Sequence, residues 1–159
     1  DNVYTEPDPR DDLSGMDVAR KLTILAREMH QSIEIGDFPV QSLVPEPLRD
    51  VSLKEFLEHL PEFDADIEAL YRDAQADNKQ LRYVARLGAD GRAAVGLEAV
   101  DGDHPFSNIN LTDNIVQFET DRYAANPLVV QGPGAGPEVT AGGVFGDLLK
   151  LAQYLSQGE

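Results

Sequence analysis

Residues 81–87, LRYVARL, and 93–100, AAVGLEAV, are two strand-forming runs joined by Gly88-Ala89-Asp90-Gly91. A connection this short and glycine-rich forces the runs into an antiparallel hairpin. The rest of the chain must pack around it. Residues 114–120 read as a third consecutive strand and 127–131 as a short fourth. Upstream, residues 38–44 alternate enough for a strand, bounded by Gly36 and Pro45.

Helical periodicity places helices at 16–31, at 52–78 and at 139–154, with Pro61 breaking the second region in two. Ser52 and Glu55 have capping-box spacing. The Pro- and Asp-rich segment 1–15 reads as irregular. No repeat or linker divides the chain, so the expectation is a single α+β domain over residues 1–159.

In the first helix, Val18, Leu22, Leu25 and Met29 form an apolar stripe that Ala19 and Ala26 widen. Asp17, Lys21 and Glu28 lie about a quarter-turn away, at the rim of that face. In the last helix, Val144, Leu148, Leu151 and Leu155 form one stripe, broadened by Phe145, Leu149 and Ala152. That width suits either deep packing or a face that rests on a further domain.

The formal net charge is −16, from 29 acidic and 13 basic side chains. Such a balance opposes binding to nucleic acid or anionic membranes, both of which need clustered Lys and Arg. With no Cys there is neither a disulfide framework nor a thiolate metal site, and a reducing cytoplasm is the simplest compartment. The first residue is Asp1, not Met, which reads as a piece of a longer chain.

Chemistry concentrates in residues 6–21, EPDPRDDLSGMDVARK. Asp17 and Lys21 stand four apart, as in an exposed ion pair or in an acid/base site that holds an ammonium against a substrate oxygen. Ser14 with Asp17 also has capping-box spacing. Glu6, Asp8, Asp11 and Asp12 are dense in carboxylates, but Pro7 and Pro9 stiffen them and the calcium-loop pattern is absent. No metal site is expected. The run Gly132-Pro133-Gly134-Ala135-Gly136 follows a strand and opens a helix, so it is either a tight turn or a close backbone approach to a ligand. His30, His59 and His104 lack ligand spacing, and His104 reads as part of a surface turn.

These segments together resemble the C-terminal catalytic domain of homoserine dehydrogenase. The resemblance is carried by YTEPDPRDDLSGMDVARKLTILARE at 4–28, LRYVARL at 81–87 and NPLVVQGPGAGPEVTAGGVFGDLL at 126–149. The stretches VARLGADGRAAVGLEAV and DHPFSNINLTDN look most like bacterial bifunctional aspartokinase–homoserine dehydrogenases, of the methionine-linked type more than the threonine-linked. The resemblance implies reversible reduction of L-aspartate 4-semialdehyde to L-homoserine by NADPH or NADH, in threonine and methionine biosynthesis. It implies that Lys21 donates a proton to the carbonyl oxygen and that Asp17 contacts substrate and orients Lys21. It also implies that Glu6 binds the substrate's amino end, with Tyr4 among the substrate contacts, and that Gly136 lies against the cofactor.

The same resemblance implies a mixed β-sheet covered by helices on one face, in the order α-β-α-β-β-β, as in the substrate domain of glyceraldehyde-3-phosphate dehydrogenases. It implies a homodimer or higher oligomer. Residues 137–159 would pack on a nucleotide-binding domain that these 159 residues do not contain. A non-catalytic dimerisation module is the alternative reading.

Overall fold

The computed structural model describes residues 6–110 and 112–156. Two compact units form, Asp1–Ser107 and Asn108–Glu159. The first holds helices α1 (Pro9–Leu13), α2 (Met16–Glu28), α3 (Leu53–His59) and α4 (Asp64–Ala76), with strands β1 (Lys79–Leu87) and β2 (Ala93–Asp101). The second holds β3 (Asp113–Phe118), β4 (Leu128–Pro133) and α5 (Pro137–Ser156).

The β1–β2 hairpin is antiparallel, in register from Lys79↔Asp101 to Leu87↔Ala93. Gly91 turns it at φ +79°, and the Gly88 amide donates to Arg92 O at 2.8 Å. Side chains alternate across a strand, so Tyr83, Ala85 and Leu87 share one face with Ala93 and Val95. On that face they meet Ala19, Leu22 and Phe38 in the main core. Helix α4 covers the same face near Leu81, Leu97 and Ala99.

Helices α2 and α4 therefore pack on one face of the hairpin, but the expected single mixed sheet does not form. Instead there are two separate two-stranded antiparallel sheets. The expected strand at 38–44 reduces to one parallel bridge, Val40↔Val95. Val95 N donates to Pro39 O and Gln41 N donates to Val95 O, after which the ladder stops. The next donor, Leu97 N, is taken by the Gln41 side chain at 2.8 Å. Beyond it Leu43 N bonds Leu13 O, which turns the backbone away.

Other boundaries also move for local reasons. Residues 9–13 are helical, not irregular: Asp8 caps α1 by accepting from Arg10 N at 2.9 Å, and Pro9 suits the first turn because it has no amide to leave unpaired. Helix α2 closes at Glu28, short of residue 31, because His30 adopts φ +59° and Gln31 N folds back to Ala26 O. Its most buried residues are Ala19, Leu22, Thr23 and Ala26, whereas Met29 is exposed. Small residues at the contact let α2 approach the hairpin closely. The Ser52–Glu55 capping box forms in both directions. Pro61 tightens the chain into a 3₁₀ turn, Leu60–Phe63, that leads directly into α4.

A second core joins Val44, Leu48 and Phe56, with Leu13, Val51, Leu60 and Phe63 around them. Arg10 closes it. Its guanidinium lies 5.4 Å from the centre of the Phe56 ring and donates to Val51 O at 2.7 Å and Arg49 O at 3.1 Å. Asp8 grips the same guanidinium through both oxygens.

In the second unit β3 and β4 pair antiparallel, from Asp113↔Pro133 to Phe118↔Leu128. Helix α5 has no buried residue. Val144, Phe145, Leu148, Leu151 and Leu155 are all more than half exposed, which excludes the deeply packed reading of its broad apolar face.

Two outcomes follow for stability. Phe56 is wholly buried, and Phe56→Ala should cost roughly 3–5 kcal/mol in urea unfolding. Arg10 holds the Asp8 carboxyl below its ordinary range, chiefly by side-chain hydrogen bonding. A depressed folded pKa contributes stability in full above the unfolded value of about 3.9, and this is lost as pH falls through the depressed value. Asp8→Asn keeps a capping side chain and removes the charge. It should lower the urea midpoint at pH 7, and the gap to wild type should close as pH drops below about 4.

Candidate functional site

The first turns of α2 bring Asp17 and Lys21 together. Lys21 Nζ stands 2.8 Å from Asp17 Oδ2, and the two side chains are 52% and 66% exposed. The pair thus faces outward on the side of α2 away from the buried Ala19, Leu22, Thr23 and Ala26, not at the rim that the apolar stripe implied. The expected Ser14–Asp17 capping box does not form. Gly15 occupies the cap position at φ +76°, and Ser14 Oγ accepts from Met16 N while donating to Asp11 O. A left-handed cap puts Ser14 out of register with the amide that a capping box requires, leaving the Asp17 carboxylate to Lys21.

Glu6 is exposed just ahead of α1, and its amide donates to the Asp12 carboxylate at 3.1 Å. Asp8 is engaged by Arg10, so the acidic run is divided between capping and anchoring. Tyr4 lies outside the described residues. Gly136, in the second unit, has φ +126°, a conformation that favours glycine. Its carbonyl accepts from Thr140 N and Thr140 Oγ1, so it caps α5. Pro137 has no amide to offer, and Glu138 brings negative charge to the first turn. Within the same run, a Cβ at Gly134 would strike the Asn114 side chain, so that glycine is required by packing. His104 belongs to a turn: its Nδ1 accepts from Phe106 N, and its ring meets Phe106 edge-on at 4.6 Å.

Sequence reasoning missed what seats α2. A Cβ built on Gly15 would come within 1.8 Å of Tyr83 Oη and 3.1 Å of Val40 Cγ1. Tyr83 Oη donates to Gln41 O at 2.6 Å, and burial pushes the phenol's pKa up. The one local signal was the Ser14-Gly15 step directly before a helix. Nothing local points to Tyr83 or Gln41.

Residues 1–149 match the family model described as homoserine dehydrogenase. The chain belongs to the homoserine dehydrogenase family. It is 54% identical over 154 residues to the maize protein named bifunctional aspartokinase/homoserine dehydrogenase 2, chloroplastic, covering 96% of this chain and 17% of that protein. It is 49% identical over 155 residues to the homoserine dehydrogenase of Saccharomyces cerevisiae, covering 96% and 43%. The chain therefore spans less than half the length of these relatives. A crystal structure of a Candida auris protein of unknown function superposes with a TM-score of 0.87 at 49% identity, covering 94% of this chain and 42% of that one. The Staphylococcus aureus homoserine dehydrogenase shares the fold, with a TM-score of 0.68 at 22% identity over 96% and 34%. The maize and yeast sequence relatives are a plant bifunctional and a fungal protein, and they give no support to a bacterial, methionine-linked origin. Among the described residues no helix is long and apolar enough to cross a membrane.

An exposed i,i+4 pair contributes little to folding. Lys21→Ala should change unfolding stability by less than roughly 0.5 kcal/mol in urea titration.

Proposed function

We propose that residues 1–159 are the substrate-binding and catalytic domain of a homoserine dehydrogenase, which reversibly reduces L-aspartate 4-semialdehyde to L-homoserine with NADPH or NADH in the cytoplasm. The observation that carries this reading is the Asp17–Lys21 pair, closed to 2.8 Å on an open helix face. Reduction of an aldehyde builds negative charge on its oxygen. The Lys21 ammonium donates a hydrogen bond to that oxygen, stabilises the charge as it forms and delivers the proton. Asp17 holds Nζ from the other side and so fixes where the ammonium points. The Glu6 carboxylate receives the substrate's α-ammonium through a charge-assisted hydrogen bond, and Tyr4 contributes a further substrate contact.

The nicotinamide cofactor, when bound, supplies the hydride. The residues present fit it at one point: at Gly136 the backbone can come close to a ring system with no side chain between. The phosphates are left to a nucleotide-binding domain elsewhere in the parent protein, against which the apolar face of α5 packs. Pro137 and Glu138 at the start of α5 make it a poor phosphate seat, which supports that division.

A second reading, that the domain also joins two copies of the protein, is favoured by β4. Leu128, Val129 and Val130 are 44%, 37% and 55% exposed, and consecutive residues point to opposite faces, so both faces of this strand are open.

In the full-length protein, Lys21→Ala should lower kcat by roughly 10²–10⁴-fold with a much smaller change in KM, as expected for loss of a general acid. Turnover within about tenfold of wild type would remove Lys21 from the mechanism. The 159-residue chain alone should not oxidise NADPH with aspartate semialdehyde. It should sediment as a dimer at low micromolar concentration, and a strict monomer would remove the second reading.

A further inference from the structure

We infer that Tyr83 is a positioning residue for the Asp17–Lys21 pair, acting through Gly15 and Gln41; the inference rests on the acid/base reading above. Asp17 and Lys21 are both largely exposed, so their own side-chain packing does not fix where they stand. Their positions follow from the seat of α2. At its middle that seat is apolar, with Ala19 and Ala26 fully buried. At its N-terminus, next to Asp17, it is a polar stop: Tyr83 Oη fills the space where residue 15 would carry a Cβ.

The stop is stiff because its hydrogen bonds lead back to the hairpin. Tyr83 Oη donates to Gln41 O, Gln41 N donates to Val95 O, and Gln41 Oε1 accepts from Leu97 N. The phenol belongs to β1, while Val95 and Leu97 belong to β2, so the loop is closed across both strands. Gly15 cannot rotate or descend without striking the oxygen. The first turn of α2 is thereby held at one height above the sheet, and Lys21 sits on the next turn. A phenol with its ordinary pKa of about 10 already carries its proton at neutral pH, and burial pushes that pKa further up.

Near-attack geometry is demanding, and a displacement of about 1 Å can lower a rate by around a hundredfold. Tyr83→Phe removes the oxygen and its bond to Gln41 while keeping the ring. Gly15→Ala forces a Cβ against the oxygen and strains a left-handed cap. The test compares Tyr83→Phe, Gly15→Ala, the double variant and Lys21→Ala in the full-length dehydrogenase, following NADPH oxidation with aspartate 4-semialdehyde and thermal melting.

Tyr83→Phe should lower kcat by roughly five- to thirtyfold with KM for the semialdehyde within about twofold and melting close to wild type, a split that a purely structural role would not produce. The double variant should lose less than the product of the two single losses, because removing the oxygen relieves the worst contact of the new Cβ, 1.8 Å, and leaves the milder ones to the ring Cζ at 2.8 Å and Val40 Cγ1 at 3.1 Å. A kcat for Tyr83→Phe within about twofold of wild type, or losses that multiply independently, would overturn the inference. If Lys21→Ala collapses while Tyr83→Phe is unaffected, the lock alone fails. If Lys21→Ala keeps turning over, the acid/base reading fails and takes the lock with it.

Discussion

Close approach between α2 and the β1–β2 hairpin governs the first unit, and it works because side chains are missing where the two meet. Ala19 and Ala26 are fully buried, and Gly15 has no Cβ where Tyr83 Oη stands. Larger residues at these positions would lift the helix and open the main core around Leu22, Phe38 and Val95. The same closeness leaves the opposite rim of α2 free to present Asp17 and Lys21 outward. Packing on one face of α2 and the exposed Asp17–Lys21 ion pair on the other thus share one helix.

The second core solves a different problem. Helix α1 has five residues, too short to persist unaided. It is held because Arg10 spans from the Asp8 cap to the carbonyls of Arg49 and Val51 while lying over Phe56. One side chain therefore ties the segment after Glu6 to the start of α3. Glu6 owes its place to that tie, since only two prolines and Asp8 separate it from Arg10.

What could be read from the sequence divides along the range of the interactions. The hairpin was legible because Gly88 and Gly91 set its turn locally, and so was the Ser52–Glu55 box. The proximity of Asp17 and Lys21 followed from helical spacing, whereas their roles, with those of Glu6 and Gly136, come only from family likeness. Helix α1 was missed because its stability comes from groups some forty residues away, Arg49 and Val51. The end of α2 was missed because His30 adopts a left-handed conformation that a non-glycine residue rarely signals. The strand expected at 38–44 failed because its alternation is real but its partner bonds stop after Gln41. No spacing rule could link Gly15 with Tyr83, since that contact exists only once helix and hairpin have docked.

The interrupted pairing beside β2 has a consequence for how the protein behaves in concentrated solution. An unpaired strand edge invites strands from neighbouring molecules to add to it. Along β2 that edge is met by a stub of backbone, Pro39 to Gln41, and then by an amide side chain that satisfies Leu97 N. Pro39 has no amide to extend the ladder, and the Gln41 side chain offers no continuing strand. The β2 edge of the hairpin thus ends in a stop assembled from a proline and a glutamine.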